Sequence, residues 1–179
     1  ECLGIIGPNG GGKSSLLEAC RALIPNRGEL QIFQKPLASL SRKQLAKLLA
    51  VVPQKSEFAF PYTVQEMLLL GRSPHLAPWA SYSSSDYDLC QQILQQLSIA
   101  DLAHRSVEQL SGGERRKVFI ARALMQHAPL LFLDEPTAAL DPRAQAEIRE
   151  LLLELQQSKQ MTIVVVLHDL AFVQRLCDK

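Results

Sequence analysis

No apolar run in this sequence approaches the roughly eighteen residues that a membrane-spanning helix requires, so the chain cannot cross a bilayer by itself. A surplus of one charge is also missing. The formal net charge is +1 and acidic and basic residues are interleaved, which denies the chain the basic footprint of a nucleic-acid binder. The four cysteines (Cys2, Cys20, Cys90 and Cys177) form no C-x-x-C pair. That argues against a zinc site or a disulfide framework, and reduced core thiols in a cytosolic protein are expected. No signal or transit segment is expected within the sequence. The chain begins at Glu1 directly in an apolar stretch and stops at Lys179 within a helical pattern, so an internal piece of a longer protein is expected. With 47% hydrophobic and 21% charged residues, what remains is the composition of one ordinary globular domain with a real core.

The most informative stretch is Gly7-Pro8-Asn9-Gly10-Gly11-Gly12-Lys13-Ser14, which fits G-x-x-x-x-G-K-[ST]. Its context is right as well. Cys2-Leu3-Gly4-Ile5-Ile6 reads as a buried strand before it, and Leu16, Leu17 and Cys20 recur at helical spacing after it. Glycines let the backbone curl so that several N–H groups point at one anion, and the helix start adds its positive dipole end. Lys13 supplies an ammonium for the outer phosphates, and the Ser14 hydroxyl can ligate the accompanying Mg²⁺. The loop is built to hold a nucleoside triphosphate.

Further along, a helix is expected to about residue 23, a strand over 29–33, and a capped helix from Ser41 with Gln44. A buried strand over 48–52 then closes at Pro53-Gln54. From Phe58 the texture changes. Phe58, Phe60 and Tyr62 form an aromatic cluster that is either insert core or a docking surface. Thr63 and Glu66 start a helix, a Pro- and Ser-rich loop covers 73–85, and a helix bearing Tyr87, Cys90, Leu94 and Leu97 follows. No strand pattern occurs between Phe58 and Gln126. The expected organisation is therefore a core over 1–57, an α-helical insert over 58–126, and the second part of the core over 127–179.

Leu110-Ser111-Gly112-Gly113-Glu114 combines capping-box spacing with two glycines at a helix start. Open amides, a hydroxyl and a dipole make this a second phosphate-binding corner. Leu130-Leu131-Phe132-Leu133 is an unbroken apolar strand ending in Asp134-Glu135, which places two acids where ligands bind in an open α/β sheet. Asp134 suits a Mg²⁺-water ligand and Glu135 a general base toward an attacking water. Asp141-Pro142 starts an amphipathic helix. A last buried strand over 162–167 ends at His168. Taken singly, Gln54 reads as a surface residue and His168 as a structural histidine.

Together these motifs resemble the nucleotide-binding subunit of an ATP-binding cassette (ABC) transporter: GPNGGGKS at 7–14, Gln54, LSGGE at 110–114, LLFLDE at 130–135, AALD at 138–141 and His168. The resemblance implies a RecA-like P-loop NTPase fold of the α/β class, a mostly parallel sheet with an inserted α-helical subdomain. It implies ATP and Mg²⁺ as ligands. Gly7, Pro8, Asn9, Gly10, Gly11, Gly12, Lys13, Ser14 and Ser15 would cradle the phosphates, with Ser14, Gln54 and Asp134 at the metal. Glu135 would be the base, His168 would hold the γ-phosphate, and Gln54 would contact the attacking water. Ser111, Gly112 and Gly113 would serve the ATP of a second copy in a head-to-tail dimer, bridged by Asp141. Partners would be transmembrane permease subunits and, indirectly, a substrate-binding protein, with no nucleic acid. The location would be the cytoplasmic face of the membrane, peripheral through the permease. Departures from the family pattern are Gly11 for alanine, Ala139 for serine, and Arg116-Lys117 for Gln-Arg. The run Thr63-Val64 to Gly71-Arg72-Ser73-Pro74-His75 resembles importers of iron–siderophore, haem and cobalamin complexes. Alternatives are another ABC transporter class, a soluble ABC ATPase of DNA repair or translation, or a non-hydrolysing regulatory module. The absence of heptads between Lys13 and Ser111 argues against a chromosome-organising ATPase.

Overall fold

A computed structural model describes residues 1–8, 10–25, 27–54, 60–158 and 161–178. Four parallel strands form its centre: β1 (Cys2–Ile5), β4 (Leu49–Val52), β5 (Leu130–Asp134) and β6 (Thr162–Val166), in the spatial order β1-β6-β5-β4. Register aligns Ile5 with Val166, Val166 with Asp134, and Val52 with Leu133. The C-terminal ends of all four strands therefore lie along one edge. Two further bonds, Glu135 N–H to the Val166 carbonyl at 3.1 Å and Leu167 N–H to the Ile5 carbonyl at 3.2 Å, carry the ladder past the strand ends. Whatever follows each strand is thus delivered to the same crevice.

Both faces of the sheet are covered, as a parallel sheet requires. Side chains alternate along a strand, so Leu131, Leu133, Ile163 and Val165 enter one core while Phe132, Val164 and Val166 enter the other. The smaller core takes Leu17 from α1 (Lys13–Cys20), Ile32 from β2 (Gln31–Ile32) and Leu45 from α2 (Arg42–Leu48). The larger core takes α3 (Val64–Leu69), α4 (Ser84–Gln96), α5 (Gly112–Met125), α6 (Pro142–Gln157) and α7 (Leu170–Leu176). Among the described residues, no helix is long and apolar enough to cross a membrane.

Local chemistry accounts for most helix starts. Ser41, Thr63 and Ser111 each form a complete capping box with Gln44, Glu66 and Glu114, and Ser83 with Asp86 adds a fourth. Two expectations need correction. Helix α1 ends at Cys20 rather than near residue 23, because Ala22 turns left-handed (φ 55°) and Leu23 N–H returns to the Glu18 carbonyl. The strand expected over 29–33 shrinks to β2, because Phe33 (φ 49°) and Gln34 (φ 62°) make a tight turn into an unforeseen antiparallel partner, β3 (Lys35–Pro36).

The Gly71–His75 run is explained by packing against α5. A Cβ on Gly71 would stand 2.3 Å from the Arg122 carbonyl oxygen and 2.8 Å from Met125 Cβ, so only glycine permits the approach. Arg72 pairs with buried Asp86 at 2.7 Å and donates to the Met125 carbonyl at 3.1 Å. His75 Nε2 meets the Gln126 carbonyl at 2.8 Å. In the aromatic cluster, Phe60 is exposed and stacks edge-on against half-buried Tyr62, whereas Phe58 lies outside the described residues.

Candidate functional site

The loop after β1 is shaped by its glycines. Gly10 (φ 76°) and Gly12 (φ 82°) are left-handed, with open space where a side chain would stand. Gly11 N–H donates to the Pro8 carbonyl at 3.1 Å, which tightens the curl. Among the described residues no side chain caps the start of helix α1, and its first turn carries no acid, so its amides and dipole face the crevice. Lys13 Nζ donates to the Gly7 and Pro8 carbonyls at 3.0 and 2.9 Å, which folds the ammonium back across the loop. Asn9 lies outside the described residues.

Three residues from three other strand ends meet beside this loop. Gln54, after β4, donates from Nε2 to Glu135 Oε2 at 2.7 Å. His168, after β6, places Nε2 2.5 Å from Glu135 Oε1. Both oxygens of the Glu135 carboxylate are thereby held, and the residue itself sits in a left-handed conformation (φ 46°) that turns it off the strand. An open cleft of about 690 Å³ is lined by Gly10, Gly11, Gly12, Lys13, Ser14, Ser15, Gln54, Glu135 and His168. Asp134, one residue earlier, has a buried Oδ1 with no hydrogen-bond partner among the described residues. A buried carboxylate oxygen left without a donor has a desolvation cost to recover, and a cation or its water would recover it. Chemically, such a cleft can hold a phosphate chain at one end and accept a proton at the other.

Ser111 and Asp141 stand elsewhere. A second cleft of about 400 Å³ is lined by Ser111, Gly113, Glu114, Lys117, Asp141 and neighbouring residues. It shares no lining residue with the first. Ser111 Oγ bonds to Glu114 Oε2 at 2.8 Å and accepts from Glu114 N–H. The Ser111 hydroxyl and amide hold the Glu114 carboxyl below its ordinary range. Asp141 caps α6 through bonds of 3.0 Å from the Arg143 and Ala144 amides. A Cβ on Gly113 would stand 2.8 Å from Ala144 Cβ, so α5 and α6 meet closely below this corner. Lys117 joins Glu147 at 2.8 Å across the same junction. Gly112 does not line the cleft.

Arg116 escaped notice in the sequence except as a departure from a pattern. It is only 8% exposed and donates to the Pro53 and Gln54 carbonyls. The readable signal was a basic residue on the same helical stripe as Ile120 and Ala123.

A parallel sheet with a phosphate loop after its first strand and an acid pair after another defines an α/β phosphate-loop nucleotide-binding protein. The ABC transporter family model matches residues 1–138, and the chain belongs to that family. It is 38% identical over 178 residues to a cobalamin import ATP-binding protein of Halobacterium salinarum, covering 99% of this chain and 44% of that protein. It is 41% identical over 184 residues to a hemin import ATP-binding protein of Shewanella denitrificans, covering 99% and 71% respectively. Among solved structures, an inward-facing ABC transporter assigned to the metal-chelate type superposes with a TM-score of 0.86 at 35% identity, over 99% of this chain and 67% of that one. The chain thus spans less than half the length of the Halobacterium relative.

Proposed function

We propose that this chain is the ATP-binding and hydrolysing part of an ABC importer for a metal chelate of the iron–siderophore, haem or cobalamin type. One observation carries the hydrolytic part of the reading: Glu135 is held on both carboxylate oxygens by Gln54 and His168, in the cleft that also contains the phosphate loop. The importer class is supported by the cobalamin and hemin import relatives and the metal-chelate structural neighbour.

In this reading the amides of Gly7, Gly10 and Gly12, with Lys13, Ser14 and Ser15, bind the phosphates of ATP, while the Gly11 amide tightens the loop. The orphaned Asp134 Oδ1 fits a Mg²⁺ site shared with Ser14 and Gln54, where the ion would neutralise charge on the outer phosphates. Glu135 takes a proton from the attacking water, and Gln54 orients that water. His168 holds the carboxylate until nucleotide enters, then donates to the γ-phosphate.

The separation of the two clefts supports a division between copies. A second subunit packed head-to-tail would bring its phosphate loop to the Ser111–Gly113 corner, with Asp141 at the seam. The N-terminal dipole of α5, which Ser111 and Glu114 cap within this copy, would favour ATP over ADP when it faces a partner's γ-phosphate, so the dimer closes on ATP and loosens after hydrolysis. Residues 1–57 and 127–179 are taken as the core and 58–126 as the helical insert. This is supported by a central sheet whose strands all come from 2–52 and 130–166. The subunit would sit on the cytoplasmic face of the membrane, attached to permease subunits that receive cargo from a binding protein. Co-purification of the full-length protein with membrane subunits, followed by uptake of labelled metal chelates, tests the reading. ATP-driven uptake of a chelate supports it, and a complex that moves only unrelated cargo contradicts the importer class.

A further inference from the structure

We propose that Arg116 is a positioning residue for turnover, gripping the backbone of Gln54 from within α5 so that the serine–glycine corner and the Glu135 carboxylate keep a fixed relation. The proposal rests on the reading of Gln54 and Glu135 given above. Its geometry is direct. Nη1 donates to the Pro53 carbonyl at 3.0 Å and Nη2 to the Gln54 carbonyl at 2.9 Å. These are the two residues that follow β4 immediately, and the second reaches Glu135 through its side chain at 2.7 Å. At the other end, Arg116 lies about one helical turn beyond Ser111, the N-cap of α5. A continuous series of contacts therefore runs from the corner through one helical turn to the guanidinium, the Gln54 backbone, the Gln54 amide and the carboxylate.

The chemistry of the grip is specific. Burial weakens the guanidinium's hold on its proton, and the negative charge of Asp134 opposes that effect. A buried cation persists only where bonds and a counter-charge offset its desolvation, and here two consecutive carbonyls and Asp134 do so. A guanidinium offers two donors in a rigid fork, whereas an ammonium is a single point that swings on a flexible stem. The fork defines both the distance and the rotation of α5 relative to the end of β4. When a partner's phosphate draws the corner, Gln54 follows. A staple that merely held helix to sheet could attach to any backbone of the core. This one attaches to the residue that touches the reacting acid.

The test is a double-mutant cycle in the full-length protein, measuring kcat and KM for ATP, ATP affinity by calorimetry, and melting temperature. Arg116→Met is expected to lower kcat about tenfold while leaving KM within about twofold. Arg116→Lys should recover part of that loss. In the Gln54→Ala background, which keeps the backbone carbonyl, Arg116→Met should change kcat by less than about twofold. An equal loss of kcat in both backgrounds overturns the proposal and leaves the site reading intact. If Gln54→Ala and Glu135→Gln both turn over normally, the site reading fails and the proposal falls with it. Should Arg116→Met not fold, the same cycle run with Arg116→Lys decides by the same criterion.

Discussion

Gln54 and Glu135 are 81 positions apart in sequence and are joined side chain to side chain at 2.7 Å. The bond exists because β4 and β5 pair in parallel with Val52 opposite Leu133, so both chains leave the sheet at the same level. Glu135 then turns left-handed and Gln54 reaches across. His168 completes the arrangement from β6, the strand on the other side of β5. Three separate chain segments converge on one carboxylate without any of them being near the others in sequence.

Lys13 lines the cleft beside Gly12 and Ser14 and is proposed to hold the outer phosphates of ATP. Replacing it with alanine removes the charged donor now held by the Gly7 and Pro8 carbonyls. Calorimetry on Lys13→Ala should show ATP affinity weakened about ten- to a hundredfold, the range of a lost charge-assisted bond. An unchanged dissociation constant would count against the phosphate role.

Ser111 lies outside that cleft, so its replacement should leave ATP binding to the same chain intact. Ser111→Arg would place a long side chain where, in the proposed dimer, a partner's phosphate approaches. Nucleotide affinity is expected to stay within about twofold, while the ATP-dependent dimer disappears in light scattering. A dimer that persists contradicts the shared-site arrangement.

Asp86 supplies a stability test away from the chemistry. Bonds from the Ser83 amide and hydroxyl, followed by the Arg72 guanidinium, depress its carboxyl to about 2. A folded value below the unfolded one means that the stabilisation is fully present above about pH 4 and is lost as pH falls through about 2. Asp86→Asn should therefore cost about 2 kcal/mol at neutral pH, the free-energy equivalent of that depression. The difference from the parent should shrink in denaturant titrations repeated near pH 2 to 3. A cost that is independent of pH would place the effect in packing rather than charge.

Much of the site was readable because its chemistry is local. The phosphate loop, the serine–glutamate cap at 111–114 and the apolar strand before Asp134 each need particular residue types at short spacing, and each folds as its spacing implies. The turn at Phe33–Gln34 was not readable, because two left-handed residues that are neither glycine nor asparagine give no turn signal. The early end of α1 was missed for the same reason at Ala22. The run from Gly71 to His75 was legible only as a resemblance. Its physical content, a glycine-width approach to Arg122 and two side chains at the end of α5, depends on tertiary packing. Arg116 is a similar case, since a basic residue near a helix start reads as solvated until its carbonyl partners, more than sixty positions away, are seen.

Glu135 is proposed as the proton acceptor of the hydrolytic cleft. Steady-state phosphate release by Glu135→Gln in the full-length protein, with ATP affinity measured on the same sample, tests it most directly. The expected result is turnover reduced at least about a hundredfold with ATP still bound as tightly as by the parent. Phosphate release at the parental rate would contradict it.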